Sequence, residues 1–139
     1  MKNKGFTLVE LIAVITLVGV LAVIATTSVS KYLNSSKESV KENSLKDAQD
    51  AALTYGLTLF IPDKCAITTL VTESNYSSYA LPTGCTKQTV TVSDLINKQY
   101  FKDTGNILKK NGQIVIYKYK TSTGSYELKS YAPKSILNQ

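Results

Sequence analysis

The chain has no histidine, no arginine and only two cysteines among its 139 residues. Without an imidazole there is no ready base for a serine or cysteine nucleophile, and zinc has almost no ligands to choose from. All sixteen basic residues are lysines, which lack the planar guanidinium fork preferred for specific base and phosphate readout. The seven glycines form neither a Gly-x-Gly-x-x-Gly run nor a phosphate loop. The ten carboxylates are scattered, so a paired acid/base site is not expected. Asp94 and Asp103 invite a calcium reading, but no dense Asp/Asn cluster surrounds them and capping or turn roles are preferred. The expectation is a protein that is not an enzyme and holds no cofactor or metal.

What the chain does contain is one long apolar run. A polar head, Met1-Lys2-Asn3-Lys4-Gly5, is followed by twenty residues, Phe6 to Ala25, with Glu10 as their one charge. As a helix that run is roughly 30 Å long, the thickness of a bilayer's hydrocarbon core. A secretory signal peptide carries its cleavage site after the apolar region. Here the candidate junction, Gly5-Phe6, lies before it, so the apolar segment would survive processing. A charge at the centre of a membrane helix costs roughly 2.5–3.5 kcal/mol, less towards the ends, and Glu10 therefore asks for a partner. A cut at Gly5-Phe6 would create an ammonium four residues away on the same helix face. The alternative is a plain anchor whose Glu10 snorkels to the headgroups.

Lys4-Gly5-Phe6-Thr7-Leu8-Val9-Glu10-Leu11-Ile12 resembles the N-terminal signature of type IV prepilins and pseudopilins, specifically over Lys2 to Ala25. The resemblance implies that a prepilin peptidase cuts after Gly5 and that the new Phe6 amine is N-methylated. It implies that Glu10 pairs with the Phe6 amine of a neighbouring subunit during assembly. It further implies a homopolymer with related pilins, an assembly platform and a motor ATPase as partners. The precursor would be a single-pass protein of the cytoplasmic membrane with its head outside, and the assembled form an extracellular filament. One departure is notable: Leu21-Ala22-Val23-Ile24-Ala25 is followed by Thr26-Thr27, where many relatives carry a kinking proline. A pseudopilin of a DNA-uptake or secretion machine is the alternative within the resemblance.

The expected organisation is a leader over residues 1–5, a transmembrane and assembly helix over 6–25, and a helix continuation with globular head over 26–139. The formal charge of +6 falls to +4 if Lys2 and Lys4 leave with the leader. Leu45, Ala48, Ala52, Tyr55 and Leu59 recur at helical spacing, so one helix is expected from about Thr7 to Leu57, amphipathic in its second half. Pro62 to Gln88 reads as a loop region bracketed by Cys65 and Cys85. In an exported head these are expected to form a disulfide, worth roughly 3 kcal/mol for a loop of about twenty residues. Two free thiols or an intermolecular bridge are the alternatives. Asn34-Ser35-Ser36 and Asn75-Tyr76-Ser77 match the glycosylation pattern, a short match that arises often by chance.

Thr89 to Val92 alternates like a short strand, and Ser93 reads as the N-cap of a helical turn beginning at Asp94. Ile107–Lys110 and Gln113–Lys120 flank Asn111-Gly112, a hairpin signal, and a second turn at Ser122-Thr123-Gly124 leads to a third strand. The fold class is thus α+β: a long helix whose amphipathic half covers one face of a small antiparallel sheet, as in type IV pilins. Ten lysines against five acids after Leu59, interleaved with tyrosines, give an alternative DNA-contacting surface. The preferred reading is a soluble sheet whose edge lysines discourage aggregation.

Overall fold

The computed structural model of the chain describes residues 5–138. Its elements are α1 (Leu8–Gly56), β1 (Gln88–Thr91), α2 (Val92–Asn97), β2 (Gln113–Lys120) and β3 (Tyr126–Tyr131), with 3-10 turns at Asp63–Cys65 and Lys134–Ile136. The α+β class is as expected: a long N-terminal helix packs on a three-stranded antiparallel sheet of order β1-β2-β3. The chain falls into two units divided between Ser39 and Val40, and α1 runs through the division.

In the first unit the helix has no companion among the described residues, and every residue from Leu8 to Ser35 is exposed. Where the apolar run ends, Thr26, Thr27, Ser28 and Ser30 donate their hydroxyls back to carbonyls three or four residues earlier. The helix thereby carries its polar groups without breaking, although such back-bonding weakens and bends a helix slightly.

In the second unit α1 buries Leu45, Ala48, Ala51 and Ala52 against Val90 of β1 and Ile114 and Ile116 of β2. Small residues let helix and sheet approach closely. The contact is tightest at Gly56, where an added Cβ would come within 2.8 Å of Ile116 Cγ2 and 3.0 Å of Leu128 Cδ2. Ser130 Oγ of β3 also donates to the Gln49 carbonyl at 2.8 Å, tying the outer strand to the helix.

The opposite face of the sheet is covered as well. Side chains alternate along β2, so Val115 and Tyr117 face away from α1 and bury with Ile67, Val71 and Tyr79 from the segment before β1. Ile67 also pairs in parallel with β2 at Tyr119, its amide donating to the Lys118 carbonyl at 2.9 Å. The presumed loop between Pro62 and Gln88 is therefore a cover over the second face. It is stapled by the expected disulfide, with Cys65 and Cys85 joined at a Cα separation of 5.6 Å.

Two local expectations are corrected. Residues 107–110 are not a strand of the sheet; β1 holds that edge of β2, with Val90 opposite Ile114. The Asn-Gly hairpin needs positive φ at both turn residues, and neither Asn111 nor Gly112 has it. Gly112 is instead needed for close approach, since a Cβ there would lie 2.6 Å from Ile136 Cβ. Leu108, fully buried, bridges to Leu137 near the C-terminus, and Lys109 N donates to the Ile136 carbonyl at 2.7 Å. The cap of α2 is the second correction. Thr91, not Ser93, is the N-cap, in a reciprocal box with Asp94: Thr91 Oγ1 accepts from Asp94 N, and Asp94 Oδ2 accepts from Thr91. The Thr91 hydroxyl holds the Asp94 carboxyl below its ordinary value, helped by the Thr91 amide.

Candidate processing and assembly segment

Helix α1 opens with a second reciprocal box. Thr7 precedes the first helical residue; its Oγ1 accepts from Glu10 N at 3.3 Å. In return Glu10 Oε2 accepts from Thr7 N and from Thr7 Oγ1, both at 2.9 Å. The first backbone bond of the helix runs from Leu11 N to the Thr7 carbonyl. Four residues therefore fix where the helix begins, by satisfying amide donors that an uncapped end would leave bare.

That start leaves Gly5 and Phe6 outside the helix. Both are exposed and neither belongs to a helix or strand. The Gly5-Phe6 bond thus lies in irregular backbone immediately before the cap, with the Phe6 ring 83% exposed. Glu10 lies on α1 as expected, and its carboxylate is already engaged by Thr7. Sequence reasoning missed Thr7, although Thr-x-x-Glu ahead of an apolar run is itself a start signal. Lys2 and Lys4 lie outside the described residues.

Downstream, α1 is the one described helix long and apolar enough to cross a membrane, and none of its apolar window is buried. Leu8, Leu11, Ile15, Leu17 and Val18 all remain more than half exposed. Soluble proteins rarely leave so large a contiguous apolar surface bare. A surface of this kind fits lipid or other apolar helices.

The other candidates have ordinary structural duties. Asp94 caps α2, and Asp103 accepts from Ile107 N and Leu108 N, both at 3.0 Å. Among the described residues no group of three or more His, Cys, Asp or Glu side chains is positioned for a metal. Several lysines of the alternative DNA surface are engaged within the chain: Lys118 with Asp63 at 2.6 Å, Lys129 with Glu127 at 2.7 Å, and Lys109 with the Ser135 carbonyl. Tyr117 is buried, and the Tyr131 hydroxyl donates to Glu73. Asn75, one of the two glycosylation matches, spends its amide group locally, accepting from Thr72 N and donating to the Leu70 carbonyl.

Residues 1–26 match the family described as Prokaryotic N-terminal methylation motif. This is the signature shared by type IV pilins and pseudopilins, and the match covers the N-terminal segment of the chain. No curated protein and no solved structure matches the chain.

Proposed function

We propose that this chain is a structural subunit of a type IV pilus or related extracellular filament, polymerising through its N-terminal helix. The observation that carries the reading is the bare apolar stretch of α1 preceded by an exposed Gly5-Phe6 junction within the matched motif. In this reading a prepilin peptidase hydrolyses the Gly5-Phe6 bond and the Phe6 amine is methylated. Methylation leaves a secondary amine that still protonates. Lys2 and Lys4 mark the cytoplasmic side before the cut, and the chain from Thr26 onward lies outside.

Glu10 is the assembly residue. In the single chain Thr7 supplies its Oε2 with donors. In a bundle of staggered helices the carboxylate also meets the Phe6 ammonium of a neighbour, and the pair sets the register between subunits. Glu10→Val removes one partner and leaves the ammonium unpaired among apolar helices, a loss of ~3–5 kcal/mol per contact. The variant is expected to insert and be processed normally yet form few filaments. Mass spectrometry of the mature chain, with electron microscopy of surface filaments, tests both parts. An intact Met1, or a cut after the apolar segment, sinks the processing claim. Normal filaments from Glu10→Val sink the pairing.

A further inference from the structure

By composition the apolar run stops at Ala25, yet the first charge after Glu10 is Lys31. Twenty uncharged residues, Leu11 to Ser30, separate the two charges, and as helix they span roughly 30 Å. Five of them carry hydroxyls: Thr16, Thr26, Thr27, Ser28 and Ser30. Each of the five donates to a carbonyl of the helix itself, at 2.9 to 3.1 Å. A hydroxyl spent in this way loses far less on leaving water than an unpaired one. Val29 stands among them 55% exposed, and Tyr32 just beyond is 74% exposed.

The other end of the helix sets the same limits independently. Gly5, Phe6 and Thr7 are irregular backbone, and Leu11 is where backbone bonding within the helix begins. Irregular backbone and the open amides of a first turn have no partners in hydrocarbon, so this end needs water or headgroups. A span starting at Phe6 would bury that backbone and the Glu10 carboxylate while leaving Thr26 to Ser30 wet. A span from Leu11 to Ser30 buries no charge and no open amide. Back-bonded hydroxyls cost a bilayer less than an ionised side chain, so the second register wins.

Resting on the membrane-anchored precursor of the reading above, and not on its polymerisation, we infer a second lipid-facing site beyond the apolar run. A phospholipid bilayer holds Leu11 to Ser30 in its hydrocarbon, with Lys31 and Tyr32 in the outer headgroup layer and Glu10 in the inner one. Lysine and tyrosine suit that layer, each joining an apolar body to a polar tip. The outer boundary thereby moves from Thr26 to Lys31. Glu10 keeps its water in the precursor and loses it only when helices bundle.

The chain has no tryptophan, so a single introduced one reports its own depth. Val20→Trp, Val29→Trp, Tyr32→Trp and, as a reference in the head, Phe60→Trp would each be made in the full-length precursor. Each is reconstituted at high lipid excess in phosphatidylcholine–phosphatidylglycerol vesicles, brominated either near the headgroup or near the chain end. Val20→Trp should be quenched at least twofold more by deep bromines than by shallow ones. Val29→Trp and Tyr32→Trp should show the reverse order, and at least threefold less quenching by aqueous iodide than Phe60→Trp. Iodide quenching of those two as strong as that of Phe60→Trp, with Val20→Trp still quenched by lipid, overturns the register and leaves the anchor standing. No bromine quenching of Val20→Trp, with iodide reaching it freely, rejects anchor and register together. Reporters shielded from both bromine and iodide would show protein rather than lipid around the helix, and overturn the inference as well.

Discussion

Tyr79 and Tyr117 lie with ring centroids 6.4 Å apart, and their hydroxyls have different surroundings. Tyr117 Oη accepts from the buried Val71 amide at 3.2 Å, while Tyr79 Oη is buried without a partner among the described residues. Burial pushes both phenols above their ordinary value. Removing an acceptor strands a buried donor, whereas removing an orphan hydroxyl strands nothing. Tyr117→Phe should therefore cost about 1 kcal/mol, and Tyr79→Phe close to nothing. Denaturant unfolding of the full chain in detergent measures both. Equal losses would show that Tyr79 does have a partner. Glu10 teaches a related lesson at this scale. Its identity as the odd charge in an apolar run was legible in the sequence, but its bond to Thr7 needed attention to a four-residue spacing.

Among the elements, α1 was the most legible, because its apolar run and the Leu45–Ala48–Ala52 stripe both carry a helical period. Its closest contact was less so. Gly56 carries no side chain to mark it in the apolar stripe, yet it is where helix and sheet touch. Gly56→Ala should gain up to about 1 kcal/mol of helix propensity and lose ~1–3 kcal/mol by overpacking Ile116 and Leu128. A net loss in the unfolding midpoint is expected, and a stabilised variant would contradict the close approach. The sheet was legible in part. The turn before β3 appeared where Ser122-Thr123-Gly124 placed it, with Gly124 at φ +86°. The partner of β2 was misjudged because Asn111-Gly112 is a strong local signal, whereas β1 wins that edge through Val90, a long-range packing choice. The cover on the second face was also hidden. Ile67, Val71 and Tyr79 lie in a segment of turns and irregular backbone between Pro62 and Pro82, so their burial depends on the sheet already being there.

At the scale of the C-terminal unit, the cover and the end of the chain are joined at Glu73. Its Oε2 accepts from Tyr131 Oη at 2.7 Å and from Lys134 N at 3.0 Å. The Lys134 amide, then the Tyr131 hydroxyl, hold the carboxyl below its ordinary value; burial and the bond to Glu73 push the Tyr131 phenol up. A lowered folded pKa means that the contribution is complete above the unfolded value of about 4.3 and is lost as pH falls through the folded one. Glu73→Gln keeps a neutral acceptor, so its difference from the parent chain reports the charge. The variant should be less stable at neutral pH and converge with the parent as pH falls below the ordinary carboxylate range and the folded carboxyl takes up its proton. A gap independent of pH would rule out the charge as its source.

The place where α1 begins has a consequence for maturation. Its first hydrogen bond ends on the Thr7 carbonyl, and among the described residues its cap uses nothing upstream of Thr7. Removing residues 1–5 therefore breaks none of the bonds described for the helix. Under the proposed cut after Gly5, the bonds described for α1 are kept and what would change is valence: two lysine cations would depart and the terminal amine would move to within a turn of Glu10. On that proposal maturation is an electrical event rather than a conformational one.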